Sequence, residues 1–336
     1  MKRLLACLLA LLLLCGLWGC TPREQTAQPA MTVGLVTASG GVAGDALSSA
    51  LWRGLQDLAA QDNSLLLQLK EPAPGGYENA IAAMKAQGAA LIVCAGEPAA
   101  KAVQAAAQAD PDQRFLYFGA TVIDLPNVAC PVFDRVQAAY LAGAAAGKLT
   151  ESDIVCCMQG RFTADNLPQA LAFAAGVCSV NSKAAVFRRT TFGDSDGGAG
   201  DATDLVSRGV DVIYHAEDTA NSAVIRACGT HDIWALGDYY DRSALAQDNV
   251  AGSAVNRVDV ALRELVQSAR TNTFPGGAVR YGAVNGGIAL QLQEVPNSVK
   301  TAVNNALTRL REGTAFLPDT VEALREKYPD AKFYYE

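Results

Sequence analysis

The chain has 336 residues, of which half are hydrophobic and 18% are charged, and its formal net charge at pH 7 is −7. This length is enough for two lobes of ordinary domain size, each with its own core. The acidic balance argues against nucleic acid and anionic lipid headgroups as partners, because both carry negative charge.

The N-terminal segment has the pattern of a lipoprotein signal. A basic start precedes an apolar stretch over 4–14, and Gly19-Cys20 follows shortly after. The stretch is shorter than the roughly 20 residues that a spanning helix needs, which favours a secretory signal over residues 1–19. We therefore predict that Cys20 is lipidated, that residues 20–30 form a flexible lipidated tether, and that the body lies on the extracytoplasmic face of a bacterial cell membrane. An uncleaved anchor is the alternative interpretation.

From residue 31 onward, apolar strand-like runs alternate with helical patterns. In the first half, the predicted strands cover 32–37, 64–69, 90–94, 114–118 and 127–133, and the predicted helices cover 45–61, 77–87 and 97–109. The alternation then restarts, with helices over 135–148, 167–178, 199–208 and 221–228 and strands over 153–158, 183–188, 210–214 and 233–236. Continuous apolar strands separated by helices of about ten or more residues predict parallel sheets covered on both faces.

The last part of the chain is less regular. It predicts a strand over 250–255, a helix over 258–270, a strand-like stretch over 278–292 that two glycines interrupt, and a helix over 298–311. Single extra elements after two complete units indicate a chain that crosses back between lobes. The predicted fold class is therefore α/β, with two doubly wound parallel-sheet lobes. Ligands of such sheets lie outside the carboxyl ends of the strands, so a cleft between the lobes is the predicted site.

Cysteine and histidine usage predicts neither a metal site nor a cofactor. Six cysteines follow Cys20, and they are Cys94, Cys130, Cys156, Cys157, Cys178 and Cys228. Several lie in apolar strand-like runs, where cysteine usually behaves as a small buried hydrophobe, although an exported protein could pair them. No CxxC or Cys/His spacing typical of zinc occurs, and His215 and His231 are far apart in the sequence.

Enzymatic functions find little support in the motifs. Ser39-x-Gly41-x-x-Gly44 falls one glycine short of a dinucleotide fingerprint, and no acidic residue ends the second strand. The calcium-like Asp194-x-Asp196 lacks the glutamate that such a loop needs, because Leu205 stands there. No nucleophile elbow or histidine-centred triad is present, so we predict no catalytic residues.

Several short segments, in consistent order, resemble the basic membrane protein family. They are 33–37, 50–55, 90–93, 140–143, 209–215 and 281–287. This family comprises substrate-binding lipoproteins of ABC importers, and the chain is similar to its purine nucleoside binding members. The resemblance implies a small neutral ligand, most simply a nucleoside, and a permease and an ATPase as partners. A ligand-binding sensor or receptor lipoprotein of the same fold, or import of a non-nucleoside solute, remains the alternative.

The resemblance also implies the fold of type I periplasmic binding proteins, in which three crossovers join two lobes. We expect lobe 1 to comprise 31–132 and 254–275, and lobe 2 to comprise 133–253 and 276–316. Residues 317–336 are expected to be a C-terminal extension.

In the first lobe, the family carries an Asp-Asp-Lys-Ser-Phe-Asn run where this chain has residues 43–48. The replacements include Ala43, Leu47 and Ser48. The remaining candidates near this loop are Ser39, Gly40 and Asp45, although Asp45 is equally suited to cap the following helix. Asn256 stands where the family has a lysine, and we assign it to the first lobe as a further ligand contact.

In the second lobe, the resemblance points to two loops. Phe192 matches the family's aromatic that lies against a base, and base stacking on an aromatic contributes about 1–3 kcal/mol. In Gly237-Asp238-Tyr239-Tyr240-Asp241, the family's first ribose carboxylate becomes Tyr239 and the second remains as Asp241, while Asp238 is a neighbouring substitute. These residues are the predicted ligand contacts of the second lobe.

Overall fold

The computed structural model describes residues 30–160, 166–191, 195–216 and 221–335. The first half alternates strands with helices. Its strands are β1 (Met31–Val36), β2 (Leu65–Lys70), β3 (Leu91–Ala95), β4 (Arg114–Phe118) and β5 (Val128–Phe133). Its helices are the short α1 (Gly41–Gly44), then α2 (Ala46–Gln61), α3 (Tyr77–Ala86) and α4 (Ala100–Ala109), which a 3₁₀ turn over Glu97–Ala99 precedes.

The second half repeats the alternation. Its helices are α5 (Arg135–Leu149), α6 (Leu167–Cys178), α7 (Ser195–Ser207) and α8 (Asn221–Thr230), and its strands are β6 (Ile154–Gln159), β7 (Ala185–Thr190), β8 (Val212–His215), β9 (Trp234–Tyr239) and β10 (Val250–Asn256). The tail adds α9 (Val258–Arg270), β11 (Gly277–Tyr281), β12 (Ile288–Leu292), α10 (Asn297–Arg311), α11 (Val321–Lys327) and β13 (Lys332–Tyr335).

The strands form two sheets, which confirms the predicted doubly wound α/β fold. The first has the order β11-β5-β4-β3-β1-β2 with parallel pairing throughout. The second has the order β12-β10-β9-β8-β6-β7-β13, in which β12 alone runs antiparallel. Helices cover both faces of each sheet, so the central strands are apolar along their whole length; every residue of β3, for example, is buried.

The chain passes between the lobes at three places, which are β5 to α5, β10 to α9 and β11 to β12. Backbone hydrogen bonds link these crossovers to one another. The Asp134 amide donates to the Tyr281 carbonyl at 2.8 Å, and the Arg257 amide donates to the Gly287 carbonyl at 2.9 Å. The three crossovers therefore form one connected strip beside the cleft.

The sheet pairings correct the expected lobe boundaries. Strand β11 pairs with β5 and so belongs to the first sheet, although we expected residues 276–316 to lie wholly in lobe 2. Strand β10 lies in the second sheet to its end at Asn256, three residues beyond the expected boundary at residue 253. The expected boundaries were wrong because a single strand that crosses between lobes joins the sheet in which it finds a pairing partner, and that partner is distant in sequence.

The C-terminal residues 317–336 were expected to be an extension, and the described part of them packs on the second lobe. Strand β13 pairs in parallel with β7 at the sheet edge. Phe333 and Leu324 are buried in the core of that lobe. Burial of two large apolar side chains and a full strand pairing make this segment part of the lobe.

The six body cysteines are buried thiols, and no disulfide occurs in the part of the chain that the structure describes. Burial raises the pKa of Cys178 to about 11 and that of Cys228 to about 12. Over the same residues, no helix is both long and apolar enough to cross a bilayer. Nor do the described ranges hold a group of three or more side chains placed to bind a metal ion.

Candidate functional site

A cavity of about 380 Å³ lies between the two lobes, beside the crossovers and at the carboxyl ends of the strands. Both lobes contribute to it. The first lobe supplies Leu47, Phe118, Gly119, Ala120, Pro131, Val132, Phe133 and Val258, and the second supplies Arg135, Tyr239, Tyr240 and Asn256. This is where two facing sheets bring their strand-end loops together.

A second cavity of about 490 Å³ adjoins the first and shares Tyr239, Tyr240, Asn256 and Val258 with it. Its lining is more highly charged, with Arg53, Asp57, Asp241, Arg257 and Asp259. Arg257 and Asp259 form a two-bond ion pair at 2.8 and 2.7 Å, which neutralises part of that charge. The first cavity, being more apolar and less charged, is the better candidate for a flat neutral ligand.

Tyr239 forms part of the floor of both cavities. It ends β9 with a backbone φ of 66°, a left-handed conformation that non-glycine residues adopt at a cost. The Arg135 guanidinium carbon lies 3.4 Å from the centre of its ring, a cation–π contact. A residue keeps such a strained backbone conformation only where surrounding contacts hold it. In this conformation Tyr239 lines both cavities.

Asp238 supplies the contact that holds Arg135. The Asp238 side chain is 2% exposed and forms a salt bridge with the Arg135 Nη2. It also accepts hydrogen bonds from the Tyr239 amide at 2.9 Å and from the Gln169 Nε2 at 3.2 Å. Burial raises the pKa of the Asp238 carboxyl, and the Arg135 cation opposes this rise. The carboxylate is thus engaged by the protein itself and lines neither cavity.

A buried polar network continues from Asp238 into the second lobe. Gln169 also donates to the Tyr214 hydroxyl at 3.2 Å. Deeper still, Arg188 donates from Nε to the Gln159 Oε1 at 2.8 Å and from Nη2 to the Asn166 Oδ1 at 2.7 Å, and it is 3% exposed. Buried polar groups that satisfy one another in this way make their surroundings rigid. The network therefore stabilises the loop after β9, whose Tyr240 lines both cavities.

In the first lobe, the loop after β1 is organised around Asp45. The Asp45 carboxylate accepts from the Ser48 amide at 2.7 Å and from the Ser48 hydroxyl at 2.6 Å, so it caps α2. The Ser48 oxygen in turn accepts from the Ala38 amide at 2.9 Å. Ser39 and Gly40 are exposed between these anchors, and Gly40 has a φ of 97°. None of Ser39, Gly40 and Asp45 lines either cavity, and their contact with a ligand stays a prediction.

The other predicted residues have different positions. Asp241 accepts from the Ser243 amide at 2.9 Å and lines the second cavity. Asn256 lines both cavities, but it lies in the second sheet, which corrects its assignment to the first lobe. Phe192 and Cys20 lie outside the described residues.

Glu97 is a residue that the motif analysis missed. Its carboxylate accepts from the Tyr117 hydroxyl at 3.0 Å, from the amides of Ala120 and Thr121 at 2.8 and 3.0 Å, and from the Thr121 hydroxyl. These bonds hold the loop after β4, whose Gly119 and Ala120 line the first cavity. The Thr121 hydroxyl and the other donors lower the pKa of Glu97 against the opposing effect of burial. The sequence did offer one signal for Glu97, because its carboxylate follows closely after the predicted buried strand over 90–94.

Glu97→Gln is expected to lower stability at pH 7 and to make it less sensitive to acid. Because its folded pKa is depressed, Glu97 contributes stability above its unfolded pKa of about 4.3, and this is lost as the pH falls through the folded value. Urea unfolding of both proteins at several pH values between about 7 and 3 measures the difference. Glu78→Gln, at an exposed site in the first turn of α3, is the control. Equal acid sensitivity in wild type and Glu97→Gln would remove Glu97 from this role.

Arg135 was also missed, because the first residue of a predicted helix carries no signal of a distant partner. Among the described residues that line the first cavity, it is the one ionisable side chain apart from the two tyrosines, and Asp238 compensates its charge. The cavity therefore combines aromatic rings, apolar surface and an amide with no excess charge. Such a lining suits a flat neutral molecule with hydrogen-bonding edges.

Comparison with known proteins is consistent with this arrangement. Residues 31–316 match the Bmp family, described as ABC transporter substrate-binding protein PnrA-like. The ABC transporter nucleoside-binding protein BmpA of Lactococcus lactis is 24% identical over 308 residues, which cover 84% of this chain and 88% of that protein. The CD4+ T-cell-stimulating antigen of Listeria monocytogenes is 25% identical over 321 residues, covering 86% and 88% of the two chains.

Solved structures show the same fold. A protein described as a transcriptional activator of the comK gene, from Bacillus halodurans, has a TM-score of 0.73 at 21% identity and covers 86% of this chain and 100% of its own. An ABC transporter solute-binding protein from Conexibacter woesei has a TM-score of 0.72 at 22% identity, covering 86% and 99%. The family match extends over most of the described residues and confirms the resemblance seen in the sequence. The chain belongs to the Bmp family of PnrA-like ABC transporter substrate-binding proteins.

Proposed function

We propose that this protein is a lipid-anchored, extracytoplasmic receptor that binds a nucleoside and delivers it to an ABC importer. The observation that carries the proposal is a cavity built from both lobes, with Phe118 on one side and Tyr239 and Tyr240 on the other. Aromatic side chains on both sides suit a flat base, and each stacked aromatic contributes about 1–3 kcal/mol. The name of the Lactococcus relative supports the same ligand class.

Delivery follows from closure of the lobes. A ligand that contacts both lobes binds the closed state more tightly than the open one and shifts the population toward it. The three crossovers are the only covalent links between the lobes in the described body, so bending there changes the interlobe angle. The closed form then docks on the permease, and the associated ATPase drives transport.

The experiment that tests the ligand class is a thermal-shift screen of the body from Met31 onward against nucleosides, bases, sugars and vitamins. Nucleosides are expected to raise the Tm, since a ligand at about 100 times its Kd stabilises by about 2.7 kcal/mol. Small-angle scattering with the same ligand should show a smaller radius of gyration. A response to sugars alone would redirect the ligand class, and no response to any compound would overturn the proposal.

The lipid anchor gives a separate prediction. Cys20→Ser is expected to move the protein from the membrane fraction to the soluble fraction, because removal of the acceptor thiol prevents attachment of the acyl chains that hold it there. Fractionation after labelling with a palmitate analogue measures both effects. Cys15→Ser, which changes another cysteine of the same leader, is the control and should leave labelling intact. Retention of label in Cys20→Ser would place the lipid elsewhere.

A further inference from the structure

Arg135 has a hydrogen-bonding capacity that the protein does not use. Its Nη2 bonds to Asp238, while its Nη1 is buried and has no hydrogen-bond partner. The side chain as a whole is 23% exposed and lines the first cavity. A buried donor without an acceptor is unfavourable, so an arrangement that brings an acceptor to Nη1 would be favoured over this one.

The chemistry of this donor restricts the acceptor. A guanidinium donates and never accepts, so an amino group of a ligand cannot satisfy it, whereas a carbonyl oxygen can. Asp238 already balances the charge of Arg135. A second anion would compete with that carboxylate, and a neutral carbonyl would not. A carboxylate could accept a hydrogen bond from an amino group of a ligand, but the described residues that line this cavity include no carboxylate.

We infer that Arg135 is a specificity-determining residue that selects planar ligands with a ring carbonyl, and therefore 6-oxopurine nucleosides over 6-aminopurine nucleosides. This inference rests on the proposed function. Arg135 and Tyr239 contact each other and line the same cavity, so a planar ligand that occupies this cavity beside Tyr239 also lies next to the Arg135 side chain. Nη1 is buried, so neighbouring side chains have to move before a ligand carbonyl reaches it, and we expect lobe closure to produce this movement.

The test compares inosine with adenosine by calorimetry on the body from Met31 onward. The two nucleosides share the sugar and the fused ring system and differ on one edge of the six-membered ring, where inosine has a carbonyl beside a protonated N1 and adenosine has an amino group beside an unprotonated N1. Wild type is expected to bind inosine at least about tenfold more tightly, within the range for a hydrogen bond to a charged group. The double variant Arg135→Met with Asp238→Asn removes both charges together, and its affinity ratio is expected to fall close to one.

A matched control removes a different ion pair. Arg270→Met with Asp62→Asn disrupts the pair that joins the end of α9 to the segment before β2. Strand β2 is an edge strand of the first sheet, and neither residue of this pair lines the first cavity. This variant should keep the wild-type ratio. Arg135→Lys is a second probe, because it keeps a cation beside Asp238 but lacks the second planar donor, and it too should lose most of the preference.

The outcomes separate the inference from the proposed function. Equal affinity for the two nucleosides, or tighter binding of adenosine, overturns the inference and leaves nucleoside binding in place. A preference for inosine that survives in both the folded double variant and Arg135→Lys also overturns the assignment to Arg135. Failure of both nucleosides to bind overturns the proposed function and the inference with it.

Discussion

Arg135→Met is expected to lower the free energy of unfolding at pH 7 by about 3–5 kcal/mol, because it leaves the buried Asp238 carboxylate without its cation. The remaining donors, the Tyr239 amide and the Gln169 side chain, are neutral and replace only part of the lost interaction. The variant also lacks the guanidinium that packs on the ring of Tyr239, a contact that helps to hold the left-handed backbone conformation of this residue. Urea unfolding followed by circular dichroism measures the change.

The pH dependence of this variant gives an independent check. Without Arg135, neutral hydrogen-bond donors such as the Tyr239 amide are all that opposes the effect of burial on the pKa of Asp238, so this pKa rises further. A raised folded pKa means that the stability is fully present below the unfolded value of about 3.9 and is lost as the pH rises through the folded value. The deficit of Arg135→Met should therefore shrink toward pH 4. Adding Asp238→Asn should recover most of it at pH 7. A deficit that is independent of pH and unaffected by the second substitution would contradict this account.

Gly143→Ala is the second change with a large expected effect, and it should lower the free energy of unfolding by about 3 kcal/mol or more. A Cβ at Gly143 would lie 2.0 Å from the Phe173 carbonyl oxygen, where helices α5 and α6 cross. Gly176 faces it from the other helix, and its Cβ would lie 2.2 Å from the Tyr140 carbonyl oxygen. The opposing atoms are helix backbone, so the helices have to separate to admit a methyl group.

The consequence of Gly143→Ala extends to the site, because α5 begins with Arg135 and α6 carries Gln169. Separation of these helices would pull apart the groups that hold Asp238, so ligand affinity should fall together with stability. Gly200→Ala in α7 is the matched control. Apart from the backbone of its own helix turn, no atom of the described residues lies within 4 Å of a Cβ there, and loss of a helical glycine should stabilise slightly, by up to about 1 kcal/mol. Thermal unfolding of both variants compares them; similar Tm values for Gly143→Ala and wild type would show that the helices adjust.

The candidate site was partly predictable from the strand-end loops. Tyr239 and Asn256 were named from the sequence and line the first cavity, and Asp241 lines the second. Asp238 was named as a possible ligand contact, but the structure gives it to Arg135, which lies 103 residues away along the chain. Asp45 shows a further limit of sequence-based prediction. An aspartate before a helix can either contact a ligand or cap the helix, and in the structure Asp45 caps α2.

The sequence by itself determined the alternation of buried strands and helices, the doubly wound fold and the family, because these follow from local periodicity and from segments in a fixed order. Only the tertiary structure decided that β11 returns to the first sheet, that Asn256 ends a strand of the second, and that Arg135 and Glu97 organise the cleft. Those features depend on strand pairing, ion pairing and hydrogen bonding between residues far apart in the chain. Such partners are chosen by packing in three dimensions, and local sequence patterns do not encode them.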